Sequence, residues 1–306
     1  MQRYILLRLF QTFIALIAVS IIVFGLGRIT GNPADVMAGF ESTEEQRAEL
    51  KRAWGLDKPL HAQYIKFMGN AFKGDFGQSF KFQGSTAMDL IKDRLPNTLM
   101  LAAFAIAVAT VIALPVGVFS AVKKDSVLDY IGKAMALVGQ SAPGFWLGLV
   151  LMWVFAVELD VVPTSGKGGI TSFILPAIAL GWFWVAALMR LVRSSMLDVL
   201  DSEYVKLARI KGLAEWKVIW KHCLRNAAIA PLTYFAIILG SLMIGSVSIE
   251  TVFAWPGLGL LAYEAAFARD YQVIQAVVML FCGFFVAANF VADVLYAYLD
   301  PRIRYG

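Results

Sequence analysis

Few side chains in this sequence are of the types that do covalent chemistry, and their spacing excludes most of it. The two histidines, His61 and His222, are far apart, and the two cysteines, Cys223 and Cys282, lie in a basic stretch and an apolar run. Neither pair has the spacing of a metal site or a disulfide framework. No P-loop and no glycine-rich nucleotide fingerprint occurs. The densest polar segment points to mechanics instead. From Asp201 to Gly212 the chain reads as a short helix, with Ser202 as N-cap, Glu203 in the first turn and a glycine stop. Glu215 to His222 reads as a second short helix. The stretch 190–225 carries eight basic and four acidic residues, with Tyr204, Trp216 and Trp220 among them. A helix, a glycine bend and another helix projecting from a larger body would transmit force to another protein. The other reading is a solvated basic loop held against anionic lipid.

A second set of polar groups lies inside apolar runs: Gln140, Ser141, Asn289 and Asp293. Such groups are costly in a bilayer and face a cavity or a neighbouring helix. For Asp293, close to a run's end, pairing with a basic residue near the helix ends is the alternative.

The elements that must position these groups are set by composition. Hydrophobic residues make up 59% of the 306 and charged residues 16%, against about 25% charged in soluble domains. A soluble chain of this kind would expose too much apolar surface. Uncharged stretches run over 9–27, 95–122, 134–157, 168–189, 226–249 and 271–292. Each is close to or above the roughly 20 residues a bilayer-spanning helix needs. The sequence therefore predicts an all-α polytopic membrane protein of six transmembrane helices. A seventh stretch, 251–263, contains Pro256, Gly257 and Gly259 and is too short to span; it reads as re-entrant or interfacial. The first run has Arg3 and Arg8 before it but no small-residue cleavage site after it, so it reads as a retained span. Pro115, Pro143 and Pro231 are expected to kink their spans.

Orientation follows from basic residues in the short loops. With the N-terminus inside, the inner segments hold fifteen Lys and Arg and the short outer loops only Lys167 and Arg269. Both termini are then cytoplasmic, and the net charge of +5 is a topology signal, not a nucleic-acid footprint. On this reading His61 and His222 fall on opposite sides of the membrane, which removes any shared catalytic site.

The outer segment 28–94 is too long to be a passive connection. Ser42 and Glu45 fit a capping box and Gly55 a helix stop. Leu60, Tyr64, Phe67, Met68 and Phe72 fall on one helical face. The expected organisation is an N-terminal tail and first span over 1–30, an external loop subdomain over 31–94, and a core over 95–306 that includes the inner loop 190–225. The external subdomain reads either as a cap over the spans or as a docking or gating surface.

At the inner loop the sequence becomes familiar. Glu203 to Gly212, continuing to His222-Cys-Leu-Arg-Asn226, resembles the coupling loop of ABC importer permeases in its dipeptide, oligopeptide and nickel version. The general importer form begins Glu-Ala-Ala; here only Ala208 and Gly212 keep that register, with Lys206 and Leu207 in place of Glu and Ala. The resemblance covers the whole chain. It takes in Gly74-Asp-Phe-Gly77 with Ser79, Arg94-Leu-Pro-Asn-Thr98, Ser141-Ala-Pro-Gly-Phe-Trp146 and Arg193-Ser-Ser-Met196. It continues through Ile249-Glu-Thr-Val-Phe253, Trp255-Pro-Gly-Leu-Gly259, Arg269-Asp-Tyr271, Asp293-Val-Leu-Tyr296 and Asp300-Pro-Arg-Ile-Arg-Tyr305. The chain is similar to the first permease subunit of such a system, the one with a long external loop.

The resemblance implies a type I ABC importer permease fold in the bacterial inner membrane. Its partners would be a second homologous permease, two ATP-binding subunits and an extracytoplasmic substrate-binding protein. ATP and magnesium would be bound by the ATPases and no cofactor by this chain, so the chain itself is not expected to be an enzyme. The expected ATPase-coupling residues are Glu203, Tyr204, Ala208, Arg209, Lys211 and Gly212. Ala208 would allow close approach, Gly212 would supply a turn that a Cβ hinders, and Arg209 and Lys211 would pair with acidic groups on the ATPase or with lipid headgroups. For the translocation path or gate the candidates are Gln140, Ser141, Glu250, Trp255, Pro256, Asn289 and Asp293. The rival readings are a secondary transporter or channel-type protein without ATPase partners, and a purely structural membrane subunit.

Overall fold

The structure, a computed structural model, describes residues 2–29 and 43–299. Among these residues there is no strand, only an isolated bridge between Gln78 and Thr86. The architecture is all-helical, as the composition predicts. Helix α1 (Gln2–Ile29) leads to a pair, α2 (Glu44–Trp54) and α3 (Leu60–Ala71). The long α4 (Ala87–Val122) follows, then α5 (Val127–Ser141), α6 (Gly144–Leu151) and α7 (Ile174–Leu200).

Among the described residues four helices are long and apolar enough to cross a membrane: Ile5–Arg28, Ala87–Val122, Ile170–Leu200 and Tyr271–Val294. The number reaches six if each of two bent pairs counts as one span. The expected span over 134–157 is bent sharply, at the proline expected to kink it. α5 and α6, the latter prolonged by a π-helical stretch over Met152–Glu158, meet at 107°. Pro143 is the cause. It lacks an amide donor and its ring drives Ala142 out of the helical region, to φ −88 and ψ 128. Pro115, by contrast, is accommodated within a continuous α4. The span expected to end at 189 continues to Leu200, so Arg190 and Arg193 are helical and the inner loop proper begins at Asp201.

Local signals account for the element ends. The capping box expected from Ser42 and Glu45 forms one residue later. Thr43 accepts the Gln46 amide at 3.3 Å, and Gln46 Oε1 accepts the Thr43 amide at 3.0 Å. Ser42 itself lies outside the described residues. Gly55 ends α2 at φ 68, as its type requires. Thr86 and Asp89 form a second capping box that starts α4.

The core is built on small residues. Ala105, Ala109, Ala113, Gly117 and Ala121 recur every fourth residue along α4 and are buried on one face. Against them lies α7. A Cβ on Gly181 would stand 2.7 Å from the Ala105 carbonyl oxygen, and one on Gly117 2.8 Å from that of Met189. Close backbone approach through small residues is how membrane helices associate without a hydrophobic driving force.

α3 lies against the C-terminal end of α1. Tyr64 and Phe67 stack on Phe24 with ring centroids 5.5 and 5.7 Å apart, Tyr64 and Ser20 share a hydrogen bond of 2.7 Å, and Arg28 donates to Gln63 at 2.9 Å. Of the expected apolar face, Leu60 and Phe72 remain exposed.

Candidate functional site

The segment 201–227 folds as a knob. α8 (Glu203–Ile210) is followed at Gly212 by a bend and then by α9 (Glu215–Lys217), which continues through a π-helical turn, Val218–Cys223, into α10 (Leu224–Ala227). Gly212 sits at φ 73, and its amide donates to the Arg209 carbonyl at 2.9 Å. Open space surrounds the place where its Cβ would be, so the demand for glycine is conformational rather than steric. Ser202 occupies the N-cap position, but its hydroxyl donates back to Val199 instead of capping.

One face of the knob is anchored. Val205, Ala208, Val218 and Cys223 join Val192, Met196 and Ala121 in a single buried cluster. The close approach that Ala208 permits is therefore internal, between α8 and the chain's own core, and not toward a partner. Arg209 is exposed but is engaged within the knob: it donates to Glu215 at 2.8 Å through Nη2 and at 3.3 Å through Nε, clamping the two short helices. That hydrogen bond holds the Arg209 guanidinium above its ordinary value. Tyr204 accepts from Asn226 at 3.0 Å. Glu203 pairs with Lys206 at 2.8 Å on the solvent side, and Lys211 is exposed. The opposite face is an apolar ridge in the open. Ile210 is 82% exposed and Trp216 63%, with Leu207 and Leu213 beside them.

Behind the knob an ionic node joins three helices. Asp129, at the start of α5, is fully covered. Its carboxylate accepts from Arg193 of α7 at 2.7 and 2.9 Å, from Lys133 at 2.8 Å, from the Asp125 amide at 3.0 Å, and from the Ser120 hydroxyl of α4.

Elsewhere α4 meets two further helices at a second buried carboxylate. α11 (Ile229–Val252) ends at left-handed Ala254, and the chain turns through Trp255 into α12 (Leu258–Phe267) before α13 (Tyr271–Leu299). Glu250, with no exposed surface, accepts the Gly259 and Leu260 amides at 2.6 and 3.1 Å and the Thr98 hydroxyl at 2.7 Å. Thr98 in turn accepts the Leu258 amide at 2.7 Å. A carboxylate at the start of α12 also complements the helix dipole. Trp255 is equally buried and donates to the Asn97 carbonyl, while the Asn97 amide group donates to that of Pro256. Glu250 and Trp255 thus face no passage; with Pro256 they fasten α12 to α4 and α11.

The remaining path candidates are scattered. Asp293 pairs with Arg8 of α1 at 3.3 Å, the helix-end pairing its position allowed. Ser141 donates back to Leu137 at the break between α5 and α6. Gln140 and Asn289 are half-buried, on α5 and α13. The structure brings none of these four together.

The family described as "Binding-protein-dependent transport system inner membrane component" matches residues 113–305, and its companion description for the N-terminal part matches residues 1–102. The chain belongs to this permease family. Among similar proteins, the permease is 38% identical to the oligopeptide transport system permease protein AppB of Bacillus subtilis (strain 168), over all of both chains. It is likewise 38% identical to the glutathione transport system permease protein GsiC of Escherichia coli (strain K12), over all of both chains. Its identity to the dipeptide transport system permease protein DppB of Alkalihalophilus pseudofirmus is 36%, again over the full length of both.

Two nodes of the permease escape a reading of its sequence. Asp129 looks like an ordinary first-turn acid. Asp270, just before α13, is fully buried and accepts the Ser79 hydroxyl and the Phe80 and Lys81 amides, the last two at 2.9 and 3.1 Å. The only available signal was that Ser79 and Asp270 both lie in family-like segments. A third buried group reports on the knob. Cys223 has no exposed surface, and burial raises its thiol above the usual value. Fewer thiolates form and fewer are reachable. In a Cys282→Ser background, maleimide labelling of the folded permease at pH 8 is expected to be at least about tenfold slower than after denaturation. Equal rates would mean that α8 does not cover Cys223.

Proposed function

We propose that this permease is one half of the translocation pathway of an ATP-driven importer for peptides or similar small solutes, with both termini in the cytoplasm and the 201–222 loop seated in a cytoplasmic ATPase. The observation that carries the coupling role is the two-faced knob. A force-transmitting element must be rigid toward its own body and offer a surface to its partner. Val205, Ala208 and the Arg209–Glu215 clamp provide the first; Ile210, Trp216, Leu207 and Leu213 provide the second. An exposed apolar ridge on a water-facing loop is a protein-docking feature. Glu203, Tyr204, Lys211 and Gly212 shape and flank it. The orientation is supported by the distribution of Lys and Arg, and the cargo class by the names of the relatives. A second homologous permease, two ATP-binding subunits, an extracytoplasmic binding protein and surrounding lipid complete the assembly in the bacterial inner membrane. The buried Glu250–Thr98 node would hold α12 as part of the outer gate without touching cargo.

The test is purification of the tagged permease in mild detergent, as wild type and as Ile210→Asp. Ile210 is almost fully exposed, so the substitution spares the fold. The wild type is expected to bring a second permease and two ATPases. The variant should keep the permease partner and lose about tenfold or more of the ATPases, as when a charge is forced into a desolvated apolar contact. ATPases retained in full by Ile210→Asp would overturn the placement of the coupling surface.

A further inference from the structure

Between α5 and α7 lies a cavity of about 320 Å³ whose wall is cationic on one side and apolar on the other. Lys133, Arg190 and Arg193 supply the charge, Gln140 a polar amide, and Leu137 and Met189 the apolar side. Lys133 and Arg193 share the carboxylate of Asp129, with Asp125 at 3.8 Å from Lys133. Arg190 is exposed, and its guanidinium has no partner among the described residues. The cavity therefore holds more cation than the one buried carboxylate and its exposed neighbour neutralise.

We infer that this cavity binds the phosphate of an anionic phospholipid from the inner leaflet. Its depth fits. Arg190 lies ten residues before the end of α7 at Leu200, about 15 Å along the axis. Arg190 also directly follows the uncharged run 168–189, about the length of one bilayer crossing, so it stands where that run meets the charged boundary at which headgroups lie. Its surroundings fit as well. Tyr130, Leu137 and Val138 of α5 are strongly exposed and apolar, and they continue the cavity's apolar wall along the helix. A free phosphate has no use for that wall, whereas a lipid uses both sides at once. Basic pockets between spanning helices on the cytoplasmic side are suited to anionic headgroups. Because Lys133 and Arg193 also hold Asp129, a bound phosphate would brace the junction of α4, α5 and α7 on which the α8 knob is anchored.

The membrane here follows from the family, and only the choice of leaflet rests on the orientation proposed above. Lipid retention is read on the permease itself, so it stands or falls separately from ATPase capture. The experiment is native mass spectrometry of the complete purified complex from lipid discs containing phosphatidylglycerol or only phosphatidylcholine. The wild type is expected to retain phosphatidylglycerol on the permease and no phosphatidylcholine. Arg190→Ala should cut that retention by about fivefold or more, while Arg190→Lys and the exposed variant Lys124→Ala, outside the cavity's lining, should not. Millimolar inorganic phosphate should leave the lipid in place. No preference for phosphatidylglycerol in the wild type would overturn the inference. So would equal losses in Arg190→Ala and Lys124→Ala, which would mean general surface attraction. Displacement by phosphate would mean a soluble-anion site instead. If Arg190→Ala does not assemble, the wild-type lipid comparison and the Arg190→Lys variant decide.

Discussion

Glu250→Ala is expected to abolish ATP-driven uptake and to leave the permease about 3–9 kcal/mol less stable in detergent. Each stranded buried donor costs about 1–3 kcal/mol. The substitution strands the Gly259 and Leu260 amides and the Thr98 hydroxyl. Glu250→Gln tests the same arrangement more gently. It keeps one carbonyl acceptor but turns an NH2 toward the remaining donors, so its loss should be intermediate. Gly259→Ala should behave like Glu250→Ala for a different reason. Its Cβ would lie 2.5 Å from Val247 Cα, a backbone atom that cannot swing away. Thermal unfolding followed by size-exclusion recovery reads the stability, and proteoliposome uptake reads the function. Near wild-type stability for both Glu250→Ala and Gly259→Ala would mean that α12 is not fastened in this way.

The second large effect is expected at Asp129. Asp129→Ala leaves Arg193, whose side chain is only 18% exposed, facing Lys133 with no anion between them. Removing one member of a deeply buried ion pair costs about 3–5 kcal/mol, and of a surface pair about 0–1. Here the carboxylate is covered, but by side chains whose ends reach solvent. An intermediate cost of about 2–3 kcal/mol follows. Because the node ties α4, α5 and α7 beneath the knob, ATPase binding should weaken along with stability. Arg193→Ala should cost less, since Lys133, Ser120 and the Asp125 amide still serve the carboxylate. The order Asp129→Ala worse than Arg193→Ala, in melting temperature and in membrane abundance, checks the assignment; the reverse order contradicts it.

Much of this arrangement was legible in the sequence where one rule acts alone. Uninterrupted apolar length marks spans, and glycine at Gly55 and Gly212 marks stops because the left-handed conformation leaves few other choices. In the apolar run over 134–157 Pro143 marked a kink but not its size: hydropathy counts length, and a proline's presence does not give the 107° by which the chain bends at Ala142. Arg190 and Arg193 look like loop residues because charge ends a hydropathy run without ending a helix. Pairings at long range were not legible at all. Arg94 to Thr98 and Ile249 to Gly259 are each recognisable, yet nothing in either says that Thr98 meets Glu250. The same holds for Ser79 with Asp270 and for Arg193 with Asp129. Exposure was invisible as well: the register of Ala208 and Arg209 was clear, but not that Ala208 faces inward, that Arg209 is held by Glu215 and that Ile210 faces out. The motif from Asp300 to Tyr305 lies outside the described residues.

The most direct measurement is uptake of a labelled oligopeptide into proteoliposomes that contain the complete purified complex, with Mg-ATP inside and the binding protein outside. The account predicts uptake that requires ATP and the binding protein, ignores proton and sodium gradients, and disappears in the Ile210→Asp complex. Uptake driven by an ion gradient without ATP would contradict it and return the permease to the secondary-transporter reading.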